Sequence, residues 1–353
     1  MAVALRPGAA IESPSEFVRS RRRRTGGTIV ALVATAMFAA WLKWRVGGAT
    51  SVRTFDDVAT ALAALVATVL CLRAALSQRA RLRRFWLLLA AASGAWTIAE
   101  VIWGVYDLVL RVPVPIPSWA DLGYLSAIPL AVGALMSHPA MRADRKRTAR
   151  ATFDGIVVAT ALLFLSWSFV LGPLWRQSDL TSLGGIVAIA YPFGDVVIIF
   201  LVVRVLRAMT LGDRFALCCV LGGLLAMALA DSTYAYLTEV GRYATGQLVD
   251  TGWVAGYLGL ALGAFCSSGA EVVTVADDST PSPVQSLVVS FVPILLALGV
   301  LTVEVAVGRK LYRSDWFIAV ALTVLVLGRQ CLMLSEVGRI SRVGPADPSE
   351  ELP

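Results

Sequence analysis

Long apolar runs, separated by short polar segments, follow one another through most of this sequence. The runs have about 18–25 residues, the length that an α-helix needs to cross a hydrocarbon core of roughly 30 Å. Hydrophobic residues make up 58% of the chain and charged residues only 16%, far from the averages of soluble domains. The sequence therefore predicts an all-α, polytopic integral membrane protein.

Ten membrane-spanning helices are predicted from these runs. The first run follows four arginines and extends too far for the core of a cleaved signal peptide, so we count it as a spanning helix. The chain then divides into a basic cytoplasmic N-terminal segment (1–26), a ten-helix membrane domain (27–337) and a disordered cytoplasmic tail (338–353). The predicted helices are 27–44, 58–76, 85–110, 120–137, 152–174, 183–206, 214–237, 248–266, 285–307 and 316–334.

The distribution of basic residues predicts the orientation of these helices. With the N-terminus inside, the cytoplasmic segments and adjoining helix ends hold 22 of the 31 lysines and arginines, and the outer segments hold 9. We therefore expect a multi-pass protein of the plasma membrane with both termini in the cytoplasm. Two segments oppose this assignment, because 267–283 should be inside yet has no basic residue, and 308–315 should be outside yet has three.

The formal net charge of +7 is explained by loops that border the anionic cytoplasmic leaflet. The lipid bilayer is therefore an expected partner. Nucleic acid is not, because the sequence predicts no basic folded domain outside the membrane. The five cysteines fall in the cytoplasmic halves of their helices, where disulfides are rare.

Four times, an acidic residue precedes an aromatic residue by three positions, inside or at the edge of an apolar run. Residues three apart share one face of a helix, so each pair presents a carboxyl group and a ring together. Ionisable groups at membrane depth are costly and usually face a protein interior or a wet cavity. The pairs are Glu100 with Trp103, Asp121 with Tyr124, Asp231 with Tyr234, and Asp250 with Trp253.

The spacing of these pairs indicates an internal repeat. Glu100 and Asp231 are 131 residues apart, and Asp121 and Asp250 are 129 apart. A similar offset pairs the four predicted helices of 85–206 with the four of 214–334, and leaves the first two helices outside the repeat. Units with an even number of spans are parallel and are related by an axis along the membrane normal.

The predicted topology places the four acid–aromatic pairs near the outer leaflet, with Asp195 deeper, where Pro192 and Gly194 should loosen the sixth helix. Carboxylates beside aromatic rings suit a metal ion or an organic cation, and buried carboxyls can also share protons. Interfacial anchoring and favourable helix N-termini are the alternative, and this alternative fits Asp121 and Asp250 best. The candidate binding residues are Glu100, Trp103, Asp121, Tyr124, Asp195, Asp231, Tyr234, Asp250 and Trp253.

The sequence contains no recognisable catalytic motif. Walker loops, GxSxG elbows and HExxH motifs are absent, and the one histidine, His138, lies at a predicted loop edge. We therefore expect no catalytic residue, no metal ligand set and no cofactor.

Several short motifs lie in order along the chain: Pro117-Ser-Trp-Ala-Asp121-Leu-Gly-Tyr124-Leu125, Tyr191-Pro-Phe-Gly-Asp195, Ala230-Asp231-Ser-Thr-Tyr234, Asp250-Thr-Gly-Trp253-Val-Ala-Gly-Tyr257 and Arg329-Gln-Cys-Leu-Met-Leu-Ser-Glu336. In these motifs, and over roughly residues 28–342, the chain resembles the N-terminal membrane region of actinobacterial GGDEF/EAL proteins. Those proteins are diguanylate cyclases and cyclic-di-GMP phosphodiesterases, and the resemblance implies a sensory or structural membrane module. Neither a GGDEF nor an EAL sequence is present, so the resemblance implies neither enzymatic activity here.

Two functions are consistent with these features. The first is a non-catalytic, sensor-like signal transduction module whose outward-facing acid–aromatic pocket binds a small ligand, a cation or a proton. Such a module would signal through a cytoplasmic or membrane partner. The alternative is a secondary transporter that uses Asp195 and the outer carboxylates for ion or proton coupling.

Overall fold

The structure is a computed structural model that describes residues 14–78, 80–115, 117–139, 141, 148–172, 182–208, 214–267, 295, 297–303, 305–306 and 313–340. Within these ranges every regular element is helical, which agrees with the predicted all-α class. The helices are α1 (Pro14–Trp44), α2 (Gly48–Ser77), α3 (Ala80–Gly104), α4 (Trp119–Ser137), α5 (Thr148–Ser166), α6 (Leu183–Ala208), α7 (Arg214–Glu239), α8 (Thr251–Cys266) and α9 (Arg313–Ile340). Wider π-helical turns extend α3 over Val105–Leu110 and α5 over Trp167–Leu171.

Seven of the described helical segments are long and apolar enough to cross a membrane. The chain is therefore a multi-pass α-helical membrane protein. The seven include α1 to α4 and α6 to α8, whereas the apolar parts of α5 and α9 are shorter. Most of the predicted helix 285–307 lies outside the described residues, so the expected total of ten stays a prediction.

The helix ends differ most from the predicted ones in the first two helices. Helix α1 begins at Pro14 and takes in part of the predicted N-terminal segment 1–26; residues 1–13 lie outside the described ranges. Helix α2 begins at Gly48, ten residues before the predicted start at 58. Its first turns hold Arg53, Asp56 and Asp57, which lie before the predicted start of this helix. At the other end of the chain, α9 continues to Ile340, and the predicted tail beyond it is outside the described residues.

Six helices form a closed ring, which we call the six-helix ring. In order around it, α2 packs on α3, α3 on α4, α4 on α6, α6 on α7, α7 on α8, and α8 on α2. Helix α1 packs outside the ring against α8 and α2. The sequence analysis left the second helix outside the repeat, but α2 is a full member of the ring. It occupies the place opposite α6, three positions away in either direction.

Glycines allow close packing between α7 and α8. A Cβ atom added at Gly223 would lie 2.6 Å from the Gly256 carbonyl oxygen, and one at Gly263 would lie 2.6 Å from that of Ala216. Between α3 and α4, a Cβ at Gly123 would lie 2.7 Å from the Ala95 carbonyl oxygen. Small residues at such contacts let helix backbones approach one another, which is the usual packing device within membranes.

The chain forms two compact units. The first contains the six-helix ring and α1. The second contains most of α5 together with α9, whose packing buries Val157, Ala161, Phe164 and Leu322. Every residue of the cavity described below belongs to the first unit.

Candidate functional site

The six-helix ring encloses a cavity of about 390 Å³. It lies toward the end of the ring where α2, α4, α6 and α8 begin and where α3 and α7 end. We call it the acidic cavity, because none of its described lining residues is lysine, arginine or histidine. The lining includes the carboxyl groups of Asp56, Asp57, Glu100, Asp121, Asp195 and Asp231. It also includes the rings of Trp96, Trp103, Tyr124, Tyr191, Tyr234, Tyr243, Trp253 and Tyr257.

Eight of the nine candidate residues from the sequence line this cavity, and the ninth, Asp250, lies just behind its wall. Asp250 is only 1% exposed. Its Oδ1 accepts a hydrogen bond from the Tyr243 hydroxyl at 3.1 Å, and Tyr243 is a lining residue. Asp250 is therefore linked to the cavity only indirectly, through lining residues such as Tyr243 that contact it.

Asp121 and Asp250 have similar structural roles at the starts of α4 and α8. Each completes a capping box, in which a side chain accepts hydrogen bonds from backbone N–H groups of the first helical turn. Asp121 Oδ2 accepts from the Ser118 backbone N–H at 2.5 Å. Asp250 Oδ2 accepts from the backbone N–H groups of Gly246 at 2.8 Å and Gln247 at 2.9 Å. The helix-terminus interpretation offered for these two residues agrees with this geometry.

A tyrosine hydroxyl also donates to each of these capping aspartates. Tyr191 on α6 donates to Asp121 Oδ1 at 2.5 Å, and Tyr243 donates to Asp250 as described above. Tyr243 lies in the segment between α7 and α8, and burial together with the nearby carboxyl of Asp250 raises its pKa. Its hydroxyl therefore keeps its proton and acts as a donor at neutral pH.

Glu100 and Asp231 accept hydrogen bonds from aromatic side chains on α8. The Tyr257 hydroxyl donates to Glu100 Oε1 at 2.9 Å, and the Trp253 indole N–H donates to Asp231 Oδ1 at 2.6 Å. The Tyr257 bond joins α8 to α3, which is not its neighbour in the ring. The two carboxyls are therefore bonded to side chains of another helix, and not to the aromatic residue three positions further along their own helix.

Asp195 is the cavity carboxyl with the fewest protein partners. It is 5% exposed, its Oδ2 is enclosed, and no described residue donates a hydrogen bond to it. It lies four residues after Tyr191, about 6 Å farther along α6 at 1.5 Å per residue, so it is deeper than Asp121 as expected. The acidic group that faces it is Asp231.

The expected loosening of the sixth helix at Pro192 and Gly194 is wrong. Helix α6 is continuous from Leu183 to Ala208 through both residues. Packing explains this, since a Cβ at Gly194 would lie 2.7 Å from Ile128 Cδ1 on α4. Neighbouring helices can hold a helix straight past a proline within a membrane.

Asp56 and Asp57 are site residues that the sequence analysis missed. They are 4% and 6% exposed. Asp56 Oδ2 accepts a hydrogen bond from the Gly246 backbone N–H at 3.1 Å and faces Asp250, whereas Asp57 faces Asp107. One oxygen of each, Asp56 Oδ1 and Asp57 Oδ2, is enclosed and receives no N–H or hydroxyl donor. Asp56 and Asp57 follow Arg53 by three and four residues, a spacing that is typical of helical ion pairs and could have indicated a helix here.

Arg53 and Asp107 form an ion pair beside Asp57. Arg53 Nε donates to Asp107 Oδ2 at 3.0 Å, and its Nη2 donates to Oδ1, which makes a bidentate contact. Asp107 lies in the π-helical turn that ends α3 and is 7% exposed, whereas half of the Arg53 side chain is exposed. The guanidinium of Arg53, which lies beside the described part of the cavity, is therefore already bound to a carboxylate.

Fold and site together define a multi-pass α-helical membrane protein with an acidic and aromatic cavity inside a ring of six helices. Among the described residues no group of three or more histidine, cysteine, aspartate or glutamate side chains is arranged to hold a metal ion. Comparison of the chain with protein-family models, with curated proteins and with solved structures gives no match.

Proposed function

We propose that the protein is a non-catalytic, sensor-like membrane module that binds a small organic cation in the acidic cavity and signals through a partner. The observation that carries the proposal is a lining with six carboxyl groups, eight aromatic rings and, among its described residues, no basic side chain. Carboxylates attract a cation, and aromatic faces add cation–π attraction where water is excluded. A volume of about 390 Å³ is in the range of small-molecule sites.

The proposed orientation places the cavity toward the outer face of the plasma membrane. The opposite end of the ring carries Arg73 at the end of α2, Arg83 and Arg84 at the start of α3, and Arg214 at the start of α7. The arginines Arg21–Arg24 lie near the same end of α1. Basic residues favour the cytoplasmic side, so an extracellular ligand would reach the cavity.

Binding of simple ammonium ions to the full-length protein in lipid nanodiscs tests the proposal. We expect n-butylammonium and tetramethylammonium to change the tryptophan fluorescence saturably, because three tryptophans line the cavity. Uncharged n-butanol should not do so. Asp231→Asn should weaken ammonium binding, whereas Thr233→Val, at an exposed position of α7 outside the described cavity lining, should leave it unchanged. Equal binding of butanol and butylammonium, or no binding of either cation, would contradict the proposal.

A secondary transporter is the second candidate, and the position of Asp195 midway along α6 favours it. The continuous α6 helix removes the broken-helix argument that had supported transport. Flux decides between the two functions. Proteoliposomes loaded with a proton gradient should accumulate radiolabelled methylammonium, beyond the passive entry of its neutral amine, only if the protein transports it. A sensor binds the probe without protein-dependent flux.

A further inference from the structure

We propose that the ligand of the acidic cavity is a diammonium compound, with two primary ammonium groups joined by a hydrocarbon chain. This inference rests on the proposed cation-binding function and names the class of cation. It follows from where the incompletely bonded carboxyl groups lie, rather than from their number.

The first ammonium position is on α2. Asp56 and Asp57 are consecutive lining residues, both more than nine-tenths buried, and each has an enclosed oxygen without an N–H or hydroxyl donor. The charged and titratable groups that face them are Asp250 beside Asp56, and Asp107, Glu100 and Arg53 around Asp57. Arg53 donates to Asp107. Both carboxyls line the cavity and are incompletely bonded by the protein, and an ammonium group beside them offers three N–H donors.

The second ammonium position is on α6, at Asp195. No described residue donates a hydrogen bond to this buried carboxyl, and Asp231 is the acidic group that acts on it. One oxygen of Asp231 already accepts from the Trp253 indole. A buried carboxylate without donors is costly, so a ligand donor at this position has a large favourable effect on binding.

The ring order places these two positions on opposite walls. Helices α2 and α6 are separated by α3 and α4 on one side and by α7 and α8 on the other. Neighbouring helices pack about 8–10 Å apart, so one ammonium group cannot contact carboxyls on both α2 and α6. Two ammonium groups on a spacer can.

The wall between the two positions suits an apolar spacer. The intervening carboxyls of Glu100 and Asp231 accept hydrogen bonds from Tyr257 and Trp253. The rings of Trp96 and Trp253 also line this wall. A quaternary ammonium has no N–H group and would leave the oxygens of Asp56, Asp57 and Asp195 without donors.

Binding of a chain-length series of α,ω-diamines tests this inference on the full-length protein in nanodiscs. The probes are 1,3-diaminopropane to 1,6-diaminohexane, the monoamines of equal chain length, and the fully N-methylated bis-quaternary analogues. We expect one diamine to bind about ten- to a hundredfold more tightly than its monoamine, since a second charge-assisted hydrogen-bonded contact contributes that much. The bis-quaternary analogue should bind no better than the monoamine.

Substitutions then test which carboxyl groups bind the two ammonium groups of the ligand. Asp195→Asn and Asp57→Asn should each reduce the affinity for the best diamine by about tenfold or more, toward the affinity for the monoamine. Thr233→Val on α7 serves as the control, because its side chain is exposed and lies outside the described cavity lining. Melting temperatures of all variants should be measured first, and the wild-type chain-length series tests the inference even if a variant does not fold.

The outcomes distinguish the diammonium inference from the more general proposal that the cavity binds a cation. Monoamines that bind as tightly as diamines at every chain length would overturn the diammonium inference and leave cation binding intact. An unchanged diamine preference in Asp195→Asn would also overturn it. Failure of all ammonium probes to bind would overturn both proposals.

Discussion

The two halves of the six-helix ring, α2–α4 and α6–α8, have carboxyl groups at similar positions. The side chains that bond to these carboxyl groups differ between the halves. In the first half, Asp57 follows Arg53 by four residues, and Arg53 binds the buried Asp107. In the second half, Asp195 follows Tyr191 by four residues, and Tyr191 donates to Asp121 on the neighbouring helix α4. The first half therefore has a cation of its own, and the second half has a neutral hydroxyl in the matching place.

This difference shows that the two ends of the acidic cavity are chemically unequal. The carboxyls beside α2 have a guanidinium within their electrostatic reach. Asp195 has no such group among its described neighbours. We therefore expect a cation that enters the cavity to have its greatest effect at Asp195, where the described residues offer the least compensation.

The largest expected effect concerns helix packing, where the second half depends on more glycine contacts than the first. Gly223→Ala should lower the free energy of unfolding by about 1–3 kcal/mol, because its Cβ would meet the backbone oxygen of Gly256. Gly222→Ala is the matched control, since nothing lies within 4 Å of its Cβ position. Reversible unfolding in mixed detergent measures both variants. Similar losses for the two would show that the close α7–α8 contact is unimportant for stability.

The ion pair of the first half should have the next largest effect. Arg53→Gln leaves the Asp107 carboxylate without its bidentate partner and should cost about 1–2 kcal/mol, a value reduced because half of the Arg53 side chain is exposed. Exposed Arg45, which lies before α2, provides an Arg→Gln control. A melting temperature for Arg53→Gln equal to that of the control would mean that the pair contributes nothing.

Two tyrosine hydroxyls allow a direct comparison of the halves. Tyr191→Phe should cost about 1 kcal/mol, because Asp121 loses a hydrogen bond of 2.5 Å. Tyr243→Phe should cost less, because its bond to Asp250 is longer, at 3.1 Å, while Asp250 and Asp121 each keep two other donors. Thermal unfolding of the two variants in parallel gives the order, and a larger loss for Tyr243→Phe would reverse our comparison.

The smallest expected effect is a pH dependence at the end of α4. Burial lowers the pKa of His138 to about 4, below its unfolded value of about 6.5. Between these values the unfolded chain binds more protons, so stability falls as the pH falls through that window. Between pH 7 and pH 6 the loss should be below about 1 kcal/mol.

The variant His138→Gln isolates this contribution from that of the many carboxyl groups. Its melting temperature should change less between pH 7 and pH 6 than that of the wild type. In the second half, Ser267 follows α8 as His138 follows α4, and it does not titrate. If the melting temperatures of the wild type and His138→Gln changed equally between pH 7 and pH 6, His138 would not be the source of this pH dependence.

The sequence predicted the helical class and eight of the residues that line the acidic cavity, but not how those residues are bonded. Apolar runs define spanning segments well, because helix length and membrane thickness are directly related. The i, i+3 spacing of Glu100 and Trp103 correctly indicated a shared face, yet the donor to Glu100 is Tyr257, 157 residues away. Such a partner depends on helix order around the ring, which local periodicity does not contain.

Asp56 and Asp57 were missed for a related reason. Two adjacent carboxylates and an arginine near the start of an apolar run have the composition of a loop, so the predicted helix began after them. The ring buries them because α2 lies between α3 and α8. The four-helix repeat, 85–206 and 214–334, stays a prediction; the ring places α2 opposite α6, and sequence offsets alone did not indicate that pairing.

The bond between Tyr257 and Glu100 has a consequence for how the protein is made. Helices enter a membrane in the order of their synthesis, so the Glu100 carboxyl is inserted 157 residues before its hydroxyl donor exists. At about 5–20 residues per second, that interval lasts about 8–30 s. Until α8 arrives and closes the ring against α2, the early helices carry their carboxyl groups in an incomplete bundle. The cavity is therefore finished late in biogenesis, and a ribosome that stalls before residue 257 leaves a membrane-inserted chain whose polar site is still open.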